Sequence, residues 1–423
     1  MGCIISRRSE EGEMSSSRSP AAAVLDDDDL LSEILLRLNP QPSSLPRASL
    51  FCKRWRCLVS DPGFTNRFRL HYRRKPPLLG FFHKDGVGLH FVHTLEAPNR
   101  VPPRHCFSSQ LDNTGRFLLL GCRHGLVLFF DTSLKQILVW DPVTADQHCI
   151  SVPGGFDKTV RLGGFDKTVI HGTVHRSAEE VQHYQVVLAV LEDDDKQHSR
   201  ALACFYSSKT GLWENLVSTP IPLGTHLSNR PFIVKPGKPA RLVGNSVYWF
   251  LDGSSLGLLE FDLERQNLTV IPVPVDVYAE ENIWDFLVMR TEGGGLGLFV
   301  LLHFTAQLWK RTTNGDGVAS WVLGRTIELD KLLSLDSEIG HLWILGYAED
   351  NNVVFLWRNF GDLFMIHLES LQFQKLPGYY MMCSYHPFES VYAAAVGDDA
   401  LLPPLQIVLL GGNHALWGGP VME

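Results

Sequence analysis

The sequence predicts a mainly β protein with a small α module at its start: three short helices, then a propeller-like domain of repeated antiparallel sheets. Three observations predict it. Apolar residues recur at helical spacing only between Leu25 and Phe64. From about Leu78 onward the period changes to two, in short runs bounded by Gly, Pro, Asn and Asp. Within that stretch one unit recurs, in which a strand ends in an aromatic residue and an acidic turn residue follows.

Residues 1–23 are rich in Ser, Glu and Arg with little to bury, and read as a disordered tail. Asp26 to Asp29 then precede Leu30, Leu31, Ile34, Leu35 and Leu38, an apolar stripe on one helix face. Acidic residues at a helix start favour its positive dipole end, and Pro40 and Pro42 stop the helix. A second helical stretch, Leu45 to Leu58, carries Leu50, Phe51, Trp55 and Leu58 on one side; Asp61-Pro62-Gly63 reads as a turn. The helical module is assigned to residues 24–72 and the β domain to 73–423.

Strands are predicted at Phe117–Leu120, Leu126–Phe130, Gln136–Trp140, Tyr184–Leu191, Ala203–Ser207, Ser246–Leu251, Gly257–Asp262, Leu268–Ile271, Leu298–Phe304, Val353–Trp357, Leu363–His367 and Gln406–Leu410, with one helical turn at Leu329–Leu335. That is more strands than one sheet holds comfortably, which favours several small sheets. The recurring unit is clearest at Leu138 to Pro142, Ala203 to Trp213, Leu259 to Leu263 and Leu363 to Pro377. Its spacing of roughly 50–70 residues suits propeller blades with inserted loops. A literal repeat, Gly154 to Val160 and again Gly163 to Val169, is too short for a fold unit and reads as a lengthened surface loop.

The net charge of −8 argues against a dedicated nucleic-acid binder. Eight scattered cysteines form no CxxC pair, so free thiols in a reducing compartment are expected. No catalytic motif of the HExxH, GxSxG or GxxxxGK[ST] type occurs, and no cofactor or metal is implied. A propeller hydrolase with its site built from distant loops is the weakest of the readings considered. Cys122 with His124, and His105 with Cys106, lack a second pair at ligand spacing, and Asp193-Asp194-Asp195 lacks the spaced oxygens of a calcium loop. The basic run from Lys53 to Lys75 reads as a solvated face. Trp213, Trp309, Trp321 and Trp343 are rim candidates for partner recognition, set against the commoner use of strand aromatics as core.

Met1-Gly2-Cys3-Ile4-Ile5-Ser6 fits the N-myristoylation pattern, with Gly2 as acceptor and Cys3 placed to carry a second acyl chain. Two chains anchor stably where one does not, so membrane association is expected only with this lipidation. The alternative location is cytoplasm, nucleus or both.

The segment Leu25 to Leu38, Leu45, and Phe51 to Phe64 resembles an F-box over about 45 residues. Gly121 to Val127, Ile137 to Thr144, and Val243 to Trp249 ahead of Leu258 to Pro274 are similar to the F-box-associated domain of plant F-box proteins. The resemblance implies a substrate-recruiting subunit of a Skp–cullin–F-box ubiquitin ligase. Its helices dock a Skp-type adaptor and, through it, a cullin-RING ligase, and its β domain holds a target protein. The adaptor contacts implied are Leu25, Leu30, Leu31, Ile34, Leu35 and Trp55. One departure stands out: the family's Pro after the first Leu is Asp26 here. The alternative is a propeller scaffold or binding module acting outside a ligase.

Overall fold

The computed structural model describes residues 27–393 apart from 85–87, 102–115, 155, 157–169, 177–182, 195–197, 215, 222–232, 235–237, 253–256, 274–282, 337–339, 359–360 and 378–382. Helices come first: α1 (Asp28–Leu36), α2 (Ser44–Ser49), α3 (Lys53–Ser60) and α4 (Pro62–Tyr72). The stretch Leu45 to Leu58 is two helices, because Cys52 is extended at φ −160° and ψ 169° and restarts the chain. The Asp61-Pro62-Gly63 signal is itself a helix start: the Asp61 carboxylate accepts from the Phe64 N–H at 2.8 Å, with Pro62 in the first turn. The module thus holds four short helices where the sequence suggests three.

The β domain opens with β1 (Leu78–Lys84) and β2 (Leu89–His93). Blade 2 is β3 (Phe117–Arg123), β4 (Leu126–Asp131), β5 (Gln136–Trp140) and β6 (Gln147–Ser151). Blade 3 is β7 (His171–His175), β8 (Gln185–Asp194) and β9 (His198–Ser207), with β10 (Leu212–Trp213) and β11 (Val217–Pro220) both pairing β9 as a split outer strand. Blade 4 has the split on the inside: β12 (Ile233–Val234) and β13 (Arg241–Val243) both pair β14 (Ser246–Asp252), followed by β15 (Gly257–Asp262) and β16 (Asn267–Pro272). Blade 5 is β17 (Ile283–Arg290), β18 (Leu296–Leu302), β19 (Thr305–Thr313) and β20 (Ala319–Glu328), and α5 (Leu329–Leu333) links it to the next blade. Blade 6 is β21 (Leu342–Ala348), β22 (Val353–Arg358), β23 (Asp362–His367) and β24 (Phe373–Leu376). The chain then returns: β25 (Tyr385–Glu389) pairs antiparallel with β1, Phe82 opposite His386, and completes blade 1. The result is a six-bladed propeller closed by its own last described strand.

Six apolar clusters fill the six seams between neighbouring blades. This explains the sequence pattern. On β4, Leu126, Leu128 and Phe130 fill the seam with blade 3, while Val127 and Phe129 fill the seam with blade 1. A blade strand is therefore apolar on both faces and reads as a continuous hydrophobic run. The outer strands are different: β6 buries Ile150 alone.

The acidic residue of the recurring unit is a turn-former. Asp141 and Asp262 within the unit, and likewise Asp131 after Phe130 outside it, each follow an aromatic residue, and each carboxylate accepts two backbone N–H groups of its own turn, at 2.9–3.2 Å. The aromatic end of the unit also has a role. The Trp213 indole N–H of blade 3 donates to the Ser151 carbonyl of blade 2 at 2.8 Å. The Trp321 indole of blade 5 donates to the Pro272 carbonyl of blade 4 at 2.9 Å. These tryptophans latch adjacent blades. Phe156, from the first copy of the literal repeat, is fully buried in the seam between blades 2 and 3, so that segment contributes to the core as well as to a loop. Residues 155 and 157–169 of the duplication and Gln406–Leu410 lie outside the described residues.

Candidate docking face

In α1, Asp27 is the N-cap, its carboxylate accepting from the N–H groups of Asp29 (2.9 Å) and Leu30 (3.1 Å). The apolar residues then divide. Leu31 and Leu35 are buried at 0% and 1% exposure, together with Leu36, Leu45, Val59, Phe64 and Phe68. Leu30 and Ile34 face solvent at 47% and 41%. Leu31 and Leu35 thus pack in the module's own core, while Leu30 and Ile34 are the members of the assigned set on α1 that face solvent. The cause is helical geometry: i and i+4 pairs one residue apart in phase lie on neighbouring faces, and only one pair meets α4.

The corner between α2 and α3 adds apolar surface that the assigned contacts omit. Leu50 and Phe51 are 65% and 71% exposed. Phe51 lies against Trp55, ring centroids 4.7 Å apart, and Trp55 itself is half-buried against the module core. Charge pairs hold this surface in place. Arg54 of α3 reaches Asp28 of α1 at 2.7 Å, and Arg67 of α4 reaches Glu33 at 2.7 Å and the Ser32 hydroxyl at 3.1 Å. Part of the basic run is therefore paired with α1 across the module's exposed surface.

The module sits on the propeller where the ring closes. Val391 and Ala393, just after β25, complete the module's apolar core. The Arg69 guanidinium donates to the Ala393 carbonyl at 2.9 Å, and the Asn351 side-chain amide to the Pro76 carbonyl at 2.9 Å. Arg69, Arg73, Asp141, Asp146 and Arg176 line a cavity of about 310 Å³ between α4 and blade 2. Burial pulls the Arg69 and Arg73 guanidinium pKa values down from their usual range.

The inner strands carry polar groups across the axis on this same end. Arg123, at the end of β3, donates to both oxygens of Glu349 (2.9 and 2.5 Å), to the Ala240 carbonyl (2.9 Å) and to the Thr173 hydroxyl. Arg241 donates to the Tyr347 carbonyl at 3.0 Å and to Glu349 at 3.4 Å. Four blades meet in this network. Burial alone would raise the Glu349 carboxyl, but Arg123 and then Arg241 hold it below its usual range. Beside it, burial and the Asp350 charge push the Glu389 carboxyl well above the usual carboxylate range, against the Asn351 donors that oppose the shift.

Comparison with known protein families settles what these two parts are. Residues 27–67 match the F-box domain, and residues 119–394 match the family described as "F-box protein AT5G49610-like, beta-propeller". The chain belongs to this F-box propeller family. A comparison with curated proteins returned no match. Among solved structures, YCF48 bound to a D1 peptide is 10% identical at TM-score 0.33, covering 75% of this chain and 91% of that one. The propeller domain of Cps50 (Swd1) from Myceliophteria thermophila is 11% identical at TM-score 0.32, covering 63% and 87%. The Malassezia sympodialis allergen Mala s 1 is 9% identical at TM-score 0.24, covering 65% and 91%. These likenesses are too remote to bear on function.

For an F-box protein of this architecture, substrate recognition is the general role that its two domains support. Leu25, Gly2 and Cys3 lie outside the described residues. Among the described residues no three His, Cys, Asp or Glu side chains gather as a metal site, and no helix is long and apolar enough to cross a membrane. Of the rim tryptophans, Trp309 packs on the seam of blades 4 and 5 and Trp343 on that of blades 6 and 1. The exposed Leu50 and Phe51 are missing from the assigned contacts because periodicity places both inside one helix rather than at a corner.

Proposed function

We propose that the chain is the substrate-recruiting subunit of a Skp–cullin–F-box ubiquitin ligase. The observation that carries this is the exposed apolar set Leu30, Ile34, Leu50 and Phe51, with Trp55 behind it, on a helical module already braced from its other side. A module that has buried its own core and still shows four large apolar side chains offers a helix-in-groove surface to a partner. The seating on Val391 and Ala393 fixes that surface relative to the propeller, so a bound client and a bound adaptor keep a set geometry. The chain itself contributes positioning and no chemistry.

The test is reconstitution. The full chain, co-expressed with a Skp-type adaptor and a cullin scaffold, is expected to be captured with both. Failure to bind any such adaptor would sink the reading. N-terminal acylation at Gly2 and Cys3 would place this assembly at a membrane. A Gly2→Ala variant should then leave the membrane fraction, and unchanged fractionation rejects the anchor.

A further inference from the structure

Opposite the helical module, at the starting ends of the inner strands, lies a second axial cavity of about 330 Å³. Leu118 to Leu120 open β3 and His171 opens β7, while Ser384 and His386 stand at the start of β25; the module contacts the far end of that same strand. The cavity therefore looks away from the docking face. Lys84, Leu119 and Lys238 are only partly buried on its wall.

The lining is one-sided in charge. Among the described residues the ionised side chains on the wall are Lys84 and Lys238, and none is acidic. The Lys84 ammonium donates to the Phe117 carbonyl, and burial lowers its pKa. The Lys238 ammonium pairs with Asp285 at 2.7 Å behind the wall, so the net excess charge is that of Lys84. Two residues of the wall each hold a buried nitrogen with no hydrogen-bond partner: Trp249 Nε1, in a residue 1% exposed, and His386 Nδ1, in a residue 6% exposed. An indole N–H is donor-only, and native interiors rarely leave such a group unmet. Burial lowers the His386 and His171 imidazoles to about 3 and about 4, so both are neutral near pH 7. The lower wall is apolar (Leu118, Leu120, Ile170, Pro239), which strengthens any charge-assisted bond formed there.

We propose that this cavity receives one compact anionic group, a carboxylate or a phosphoryl, carried on a side chain of the client protein. Among the described residues, an indole donor with no acceptor, a single ammonium without an acidic partner and a wall free of acidic side chains together select that chemistry. The identity of the carrier rests on the client-receptor reading above; anion binding by the cavity does not, and the two fail separately.

The experiment uses the full chain with ¹⁵N-labelled indoles, followed by NMR at constant ionic strength. Inorganic phosphate is titrated in one arm and acetate in the other, and the Trp249 resonance is identified by its loss in Trp249→Phe. A saturable shift of that resonance is expected. Lys84→Gln should weaken the response at least about tenfold, as loss of one charge-assisted bond does, and Lys84→Arg should keep it. Saturation by phosphate alone assigns a phosphorylated side chain; saturation by acetate assigns an acidic one. A Trp249 resonance that tracks neither anion saturably would overturn the proposal, as would a Lys84→Gln variant that folds and binds like the parent.

Discussion

At the residue scale, a few buried polar groups have partners that lie far away in sequence. Glu349 serves two buried guanidiniums from other blades. Replacing it with Gln leaves both underpaired, and breaking such a pair costs about 3–5 kcal/mol. A fall of that order in the unfolding free energy extrapolated from urea titration is expected, with the six-bladed fold retained. The pH dependence has two signs here. Glu349 is lowered from 4.5, so its contribution is complete above that pH and is lost as pH falls through its folded value. Glu389 is raised from 4.5, so its contribution is complete below that pH and is lost as pH rises toward its folded value. Glu389→Gln should therefore flatten the decline of stability above about pH 4.5, measured by denaturant midpoints across pH. A variant with the parent slope would show that another group sets it. None of these pairings was legible in the sequence, since Arg123 and Glu349 are brought together only by closing the ring. The turn aspartates were legible, because Asp141 and Asp262 act within three residues of themselves.

At the element scale, many strands that lie between two seams were readable, but β1, β17 and β21, which also do, were not. The predicted Gln136–Trp140 and Gly257–Asp262 coincide with β5 and β15. The outer strands β6, β20 and β24 carry mostly exposed residues and gave no periodic signal. The split of the second helix at Leu50 to Cys52 was also illegible, because apolar spacing continues through it while the backbone does not. The division of α1 into a buried and an exposed pair separates two kinds of variant. Leu35→Asp places a charge in the module core and should melt the helices, seen as lost helical signal and protease cleavage between Arg37 and Lys75. Ile34→Asp should leave the unfolding free energy within about 0.5 kcal/mol of the parent, as surface changes usually do.

At the scale of the whole molecule, one short strand does two jobs. β25 closes blade 1 against β1, and the residues that follow it seat the helical module. Ring closure and module placement are therefore coupled. Ending the chain at Pro377 should open two apolar seams and free the module, replacing one cooperative unfolding transition by two or more. Retention of a single sharp transition would argue that the seams are self-sufficient. The repeat period pointed to blades, and the blade number followed only from the strand pairing.

The direct test of the account is the affinity of the intact chain for a Skp-type adaptor, measured by titration calorimetry on the parent and on Ile34→Asp/Phe51→Asp. The account predicts that the parent binds, and that the folded double variant binds at least about a hundredfold more weakly, as loss of two central apolar anchors implies. A double variant that folds and binds like the parent would contradict it.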